Sequence, residues 1–170
     1  MSKPLSSAHV SASPAPSFYK TWRAAGIWLG LGIGGFFDGI VLHQILQWHH
    51  LVSEVYPPTT LQNLKFNTLA DGLFHAATWV FTLIGLVLLW RGTRGTHQPR
   101  PTLAFVGALL FGWGLFNVLE GTVSHQLLGL HHVRPGPDQL AYDLGFLVWG
   151  AAMLVTGGLL MRGEKRSGTL

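Results

Sequence analysis

Four long apolar blocks, at about residues 24–48, 68–90, 103–128 and 141–161, constrain this chain more than any other feature. A run of about 18 or more apolar residues with few charges reads as a membrane span. Each block is long enough to cross roughly 30 Å of hydrocarbon as a helix rising about 1.5 Å per residue. Lipid offers no partners to backbone amides and carbonyls, so the blocks must close their hydrogen bonds internally as helices. Only 11% of the chain is charged, against about 25% in a soluble domain. The expected fold class is an all-α membrane protein, a four-transmembrane-helix bundle. A soluble or secreted domain is excluded.

The basic residues give the orientation. Lys3, Lys20 and Arg23 precede the first block, Arg91, Arg94 and Arg100 join the second to the third, and Arg162, Lys165 and Arg166 follow the fourth. The other side holds only Lys65 and Arg134. The positive-inside rule then places both termini in the cytoplasm, with connections near 51–65 and 133–138 facing outward. This topology accounts for the net charge of +4, and no nucleic-acid partner is expected. Residues 1–19, rich in Ser, Ala and Pro, lack the apolar run of a signal peptide and are expected to form a disordered cytoplasmic tail. The membrane domain is expected over 20–162, with a cytoplasmic tail at 163–170. Short connections predict that successive helices are neighbours. Cysteine is absent, so disulfides and thiolate metal sites are excluded.

A duplicated segment is the most specific pattern. Residues 38–50 read DGIVLHQILQWHH and residues 120–132 read EGTVSHQLLGLHH, at a constant offset of 82. Gly30 and Gly32 match Gly112 and Gly114 at the same offset. Asp71 in the second block and Asp143 in the fourth match more loosely. The expected architecture is a tandem repeat of two-helix units, 24–91 and 103–161, related by a pseudo-two-fold axis along the membrane normal. Gly30 and Gly34, like Gly35 and Gly39, stand four apart, a spacing that permits close helix approach in lipid.

The repeat carries most of the ionisable residues. His43, His49, His50, His75, His125, His131 and His132 lie in or beside the blocks, as do Asp38, Asp71, Glu120 and Asp143, while no Lys or Arg lies within a block. Ionisable groups in hydrocarbon are costly and are functional candidates by default. Without thiols, the donors are imidazole and carboxylate, which suit zinc, iron, copper(II) or manganese. By depth, His43, His75, His125 and Asp143 converge roughly 10 Å below the outer boundary. His43, His75 and His125 are the first candidate ligands. Asp71 and Asp143 follow, as ligands or as carboxylates that orient a histidine through its second nitrogen, Asp71 toward His75. Asp38 and Glu120 complete a second site, tune the first or relay protons. His49, His50, His131 and His132 sit at helix ends. On a straight α-helix Asp38 and His43 lie about 140° apart, so one helix does not bring its whole set to one point.

The stretches GGFFDGIVLHQILQWHH at 34–50, ADGLFH at 70–75, NVLEGTVSHQLLGLHHV at 117–133 and AYDLGF at 141–146 resemble the family of small bacterial integral membrane proteins named domain of unknown function 2243. The resemblance implies a multi-pass protein of the bacterial cytoplasmic (inner) membrane. The resemblance implies association or fusion of some members with a membrane protein implicated in copper delivery to cytochrome oxidase, which would favour copper, although this chain has no methionine or cysteine cluster of the Cu(I) type. The reading is a transition-metal-binding membrane protein with a His/carboxylate site near the extracytoplasmic face, either a metalloenzyme or a metal-handling factor. The rivals are a proton or metal-ion transporter and a structural or assembly subunit of a respiratory membrane complex. Haem ligation by His43 and His125 is a further alternative, which clustered carboxylates disfavour. Partners are membrane lipid and another membrane protein.

Overall fold

The computed structural model describes residues 16–94 and 102–167. Lys3, His9, His97, Arg100 and most of the expected N-terminal tail lie outside the described residues. Four helices are long and apolar enough to cross a membrane, over Phe18–Ile45, Leu61–Thr93, Thr102–Leu127 and Gln139–Arg162. They are α1 (Pro16–Phe37), α2 (Leu61–Thr93), α3 (Thr102–Glu120) and α4 (Gln139–Ser167). Both α1 and α3 change character at their ends. The first runs on as a π-helix over Asp38–Ile45 and the second as a π-helix over Gly121–Leu127. The first span therefore begins earlier than its hydropathy suggests, and both spans one and three stop before their His-His pairs. The stop is a left-handed residue, Gln47 (φ 50°) in one half and Gly129 (φ 55°) in the other.

The helices pack in the order α2–α1–α3–α4. Close backbone contacts join α1 to α2, α1 to α3, and α3 to α4. Although α2 and α3 are consecutive, they make no such contact among the described residues, so the short-connection expectation holds for only two of three pairs. Glycine builds the central crossing. A Cβ on Gly30 would collide with the Leu109 carbonyl and the Gly112 Cα, and one on Gly112 would collide with the Ile27 carbonyl. Small residues allow backbones to approach this closely in lipid, where helix association depends on packing rather than on the hydrophobic effect.

The interior is polar and the exterior apolar. The largest fully buried side chains are His43, His131, Asn67, Thr78, Asp71 and Asp143. Leu69, Leu73 and Trp79 on α2, and Leu144, Val148 and Val155 on α4, are exposed. These outer faces meet acyl chains, while the buried polar groups must satisfy one another or a guest.

Candidate metal centre

The π-helical turns solve the facing problem. Residues five apart are hydrogen-bonded neighbours in a π-helix, so the acid and the histidine of each repeat come to one face. Asp38 Oδ2 lies 3.4 Å from His43 Nε2, and Glu120 Oε2 lies 3.2 Å from His125 Nε2. Each π-turn then closes with a wide backbone bond, Trp48 N–H to the Leu42 carbonyl at 3.0 Å and Leu130 N–H to the Ser124 carbonyl at 2.8 Å. The chain folds back under these bonds, and His49 and His131 enter the interior from the loops.

The loops clasp each other. His49 Nδ1 donates to the Val133 carbonyl at 2.8 Å, and His131 Nδ1 donates to the Leu51 carbonyl at 2.9 Å. The rings of His49 and His131 stack with centroids 4.5 Å apart. A carbonyl carries no proton, so Nδ1–H is fixed in both rings and any neutral ring presents an Nε2 lone pair inward. Burial, with the neighbouring His131 and His43 rings, pushes the pKa of His49 far below the ordinary imidazole value. This favours the neutral form of His49, the form that binds a metal.

Asp71 and Asp143 support this centre from α2 and α4. Asp71 Oδ1 accepts from His43 Nδ1 at 3.0 Å and Leu51 N–H at 2.9 Å. Its Oδ2 accepts from His50 Nδ1 at 2.7 Å, with Gln44 Nε2 at 3.4 Å. Asp143 repeats the pattern. Oδ1 accepts from Val133 N–H at 2.9 Å and lies 3.5 Å from His125 Nδ1, while Oδ2 accepts from His132 Nδ1 at 2.6 Å with Gln126 Nε2 at 3.5 Å. Both carboxylates are thus occupied in holding histidines and loops.

Two overlapping sets of buried ligand atoms result, His43–His49–His131 and Glu120–His125–His131, each with its atoms within 4.8 Å of one another. Among the described residues, His43 Nε2, His49 Nε2, His131 Nε2, both Glu120 oxygens and Asp38 Oδ2 are buried without a hydrogen-bond partner. A buried polar atom left unpaired costs about 1–3 kcal/mol, and several facing one another can be satisfied by a cation or by protons shared between imidazole and carboxylate.

Of the sequence candidates, His43, His125, Asp38 and Glu120 reach this interior together, joined by His49 and His131. His50 and His132 stand outside it as mostly buried partners of Asp71 and Asp143. His75 is not in either set. Its Nδ1 donates to the Asp71 backbone carbonyl at 2.8 Å, its ring packs beside Phe36, and its Nε2 lies against Gly39. The Asp71 side chain holds His43 and His50 rather than His75. Depth along a straight helix favoured His75 over His49 and His131, because it took no account of a loop folding back into the bundle. The gapless recurrence of the His-His pairs was the signal for those two.

These features define a four-span α-helical membrane protein with a buried histidine–carboxylate cluster that can hold a metal ion. The family described as "Predicted membrane protein (DUF2243)" matches residues 25–164, and the chain belongs to it. No curated protein and no solved structure matches the chain.

Proposed function

We propose that this protein binds a transition-metal ion between its two halves, close to the extracytoplasmic face of the bacterial inner membrane. The observation that carries the reading is the set of inward Nε2 atoms of His43, His49 and His131. Each is buried without a hydrogen bond, those of His43 and His131 facing the carboxylates of Asp38 and Glu120, while Nδ1 of the same ring is anchored to Asp71, Val133 or Leu51. This is the arrangement of ligating imidazoles, whose second nitrogen is held by a carboxylate or carbonyl. The donors are nitrogen and oxygen only, which suits zinc, iron or copper(II). Such an ion would act as a Lewis acid or activate water, or would be cargo handed to a partner complex. Both termini lie in the cytoplasm on this reading, and the loops that carry the histidines face out. The bonds of Asp71 and Asp143, matched partner for partner, support a duplicated unit with its pseudo-two-fold axis along the membrane normal.

The test is elemental analysis of detergent-purified protein prepared without chelator, paired with an absorption spectrum. Stoichiometric metal in the wild type, lowered in His43→Gln, His49→Gln and His131→Gln, is the expected result. Metal-free protein that takes up none on reconstitution defeats the proposal. One observation favours a second reading. Glu120 Oε1 stands 2.9 Å from His131 Nε2, a distance suited to a proton shared between carboxylate and imidazole. On that reading the cluster relays protons, and the protein is active without metal.

A further inference from the structure

The buried donors are spread too widely for one coordination sphere. Two nitrogen or oxygen ligands held at about 2.0–2.2 Å by one ion are at most about 4.4 Å apart. The cluster instead divides into two sets, each within 4.8 Å, that share His131 without merging. His131 has only one nitrogen to give, because Nδ1 is committed to the Leu51 carbonyl. Its Nε2 is 2.9 Å from Glu120 Oε1, and the other Glu120 oxygen is 3.2 Å from His125 Nε2. Glu120, His125 and His131 therefore belong together. This leaves His43 and His49, with ring centroids 4.4 Å apart, and Asp38 beside His43.

Charge gives an independent argument. Asp38, Asp71, Glu120 and Asp143 are all buried, and no buried Lys or Arg accompanies them among the described residues. Four buried carboxylates require compensation, of which the N–H donors around Asp71 and Asp143 supply hydrogen bonds but no fixed positive charge. Two divalent cations supply it in full, whereas one leaves half the charge unbalanced when the imidazoles are neutral ligands.

We infer that the centre is binuclear. One divalent first-row ion is held by His43, His49 and Asp38, and a second by His125, His131 and Glu120. This deepens the metal-binding reading above and rests on it. Each ion receives two imidazoles and one carboxylate, a donor set that leaves positions open for water or a small ligand. Two ions so placed can act on one small molecule from both sides.

Metal-free protein in detergent is titrated with Cu²⁺ or Zn²⁺, and bound metal per chain is read by equilibrium dialysis and elemental analysis. The expected wild-type result is saturation at two ions, with a half-field electron paramagnetic resonance line from the coupled Cu²⁺ pair. The double variant Glu120→Gln/His125→Gln keeps one ion and loses the half-field line, and Asp38→Asn/His43→Gln does the same. Wild-type saturation at one ion without a half-field line overturns the inference while leaving metal binding intact. Saturation at zero removes the metal-binding reading itself. If a double variant does not fold, wild-type stoichiometry and the half-field line decide the question alone.

Discussion

At the scale of single residues, Asp71 and Asp143 act on the centre through the histidines they hold. Asp71 ties His43 of the π-turn to His50 and the Leu51 N–H, and Asp143 holds His132 and the Val133 N–H with His125 3.5 Å away. Asp71→Asn keeps the shape but loses the charge that orients His43. A change of this kind costs about 10–100-fold in metal affinity, which competition against a chelating indicator measures. His50 and His132 share these carboxylates, so removing either alone is expected to cost less. Gln47 carries a different strain. Its φ of 50° is left-handed, a conformation that costs a side-chain-bearing residue about 1–2 kcal/mol. The equivalent residue of the other half is Gly129, at φ 55°. Gln47→Gly is therefore expected to stabilise the protein by about 0.5–1 kcal/mol, after its own entropy cost, and to raise the melting temperature in detergent. Gly129→Gln is expected to lower it.

At the scale of elements, the repeat was legible as a run of matching letters, but its geometry was not. Regular α-helical spacing separates Asp38 from His43 and Glu120 from His125. Only a helix widened over Asp38–Ile45 and Gly121–Leu127 unites each pair. Glycine spacing, by contrast, pointed correctly to close packing, and the structure adds which neighbour each glycine meets. Gly30 and Gly112 face each other's helix backbone, so Val at either position meets atoms that cannot rotate away. Overpacking of this kind costs about 1–3 kcal/mol or more. Gly30→Val and Gly112→Val are expected to melt several degrees below the wild type or to fail to accumulate. Gly72→Ala is the control, because nothing lies within 4 Å of the added carbon. It is expected to be neutral or stabilising by up to about 1 kcal/mol through helix propensity.

At the scale of the whole molecule, the centre joins the two halves. His49 of one loop binds the Val133 carbonyl of the other, His131 binds the Leu51 carbonyl, and Glu54 N–H binds the Leu130 carbonyl at 3.0 Å. Metal bound on the facing sides of these two loops would lock this clasp. A ligand present at a hundred times its dissociation constant stabilises a fold by about 2.7 kcal/mol, so chelation is expected to lower the melting temperature measurably. A cleft of about 350 Å³ lined by Gln47, Trp48, His49, His50 and Pro135 opens beside the loops. An impermeant chelator should strip the metal only from that side. The absence of cysteine permits a direct check of orientation. In intact cells, an impermeant maleimide is expected to label Ser53→Cys in the loop, but Arg94→Cys only after permeabilisation. The opposite pattern inverts the topology.

The amino-acid order alone determined that this is a four-span helical membrane protein with a polar interior, because hydrocarbon admits few other ways to place long apolar runs or so many ionisable groups. It also singled out the duplicated acid–histidine segments, since their matching needs no coordinates. Tertiary structure decided which histidines meet. His49 and His131 come together with His43 and His125, and His75 does not join them, because left-handed turns at Gln47 and Gly129 end the helices and send the loops back between them. Such a turn depends on the carbonyl that receives each imidazole, and those acceptors lie about eighty residues away in the chain.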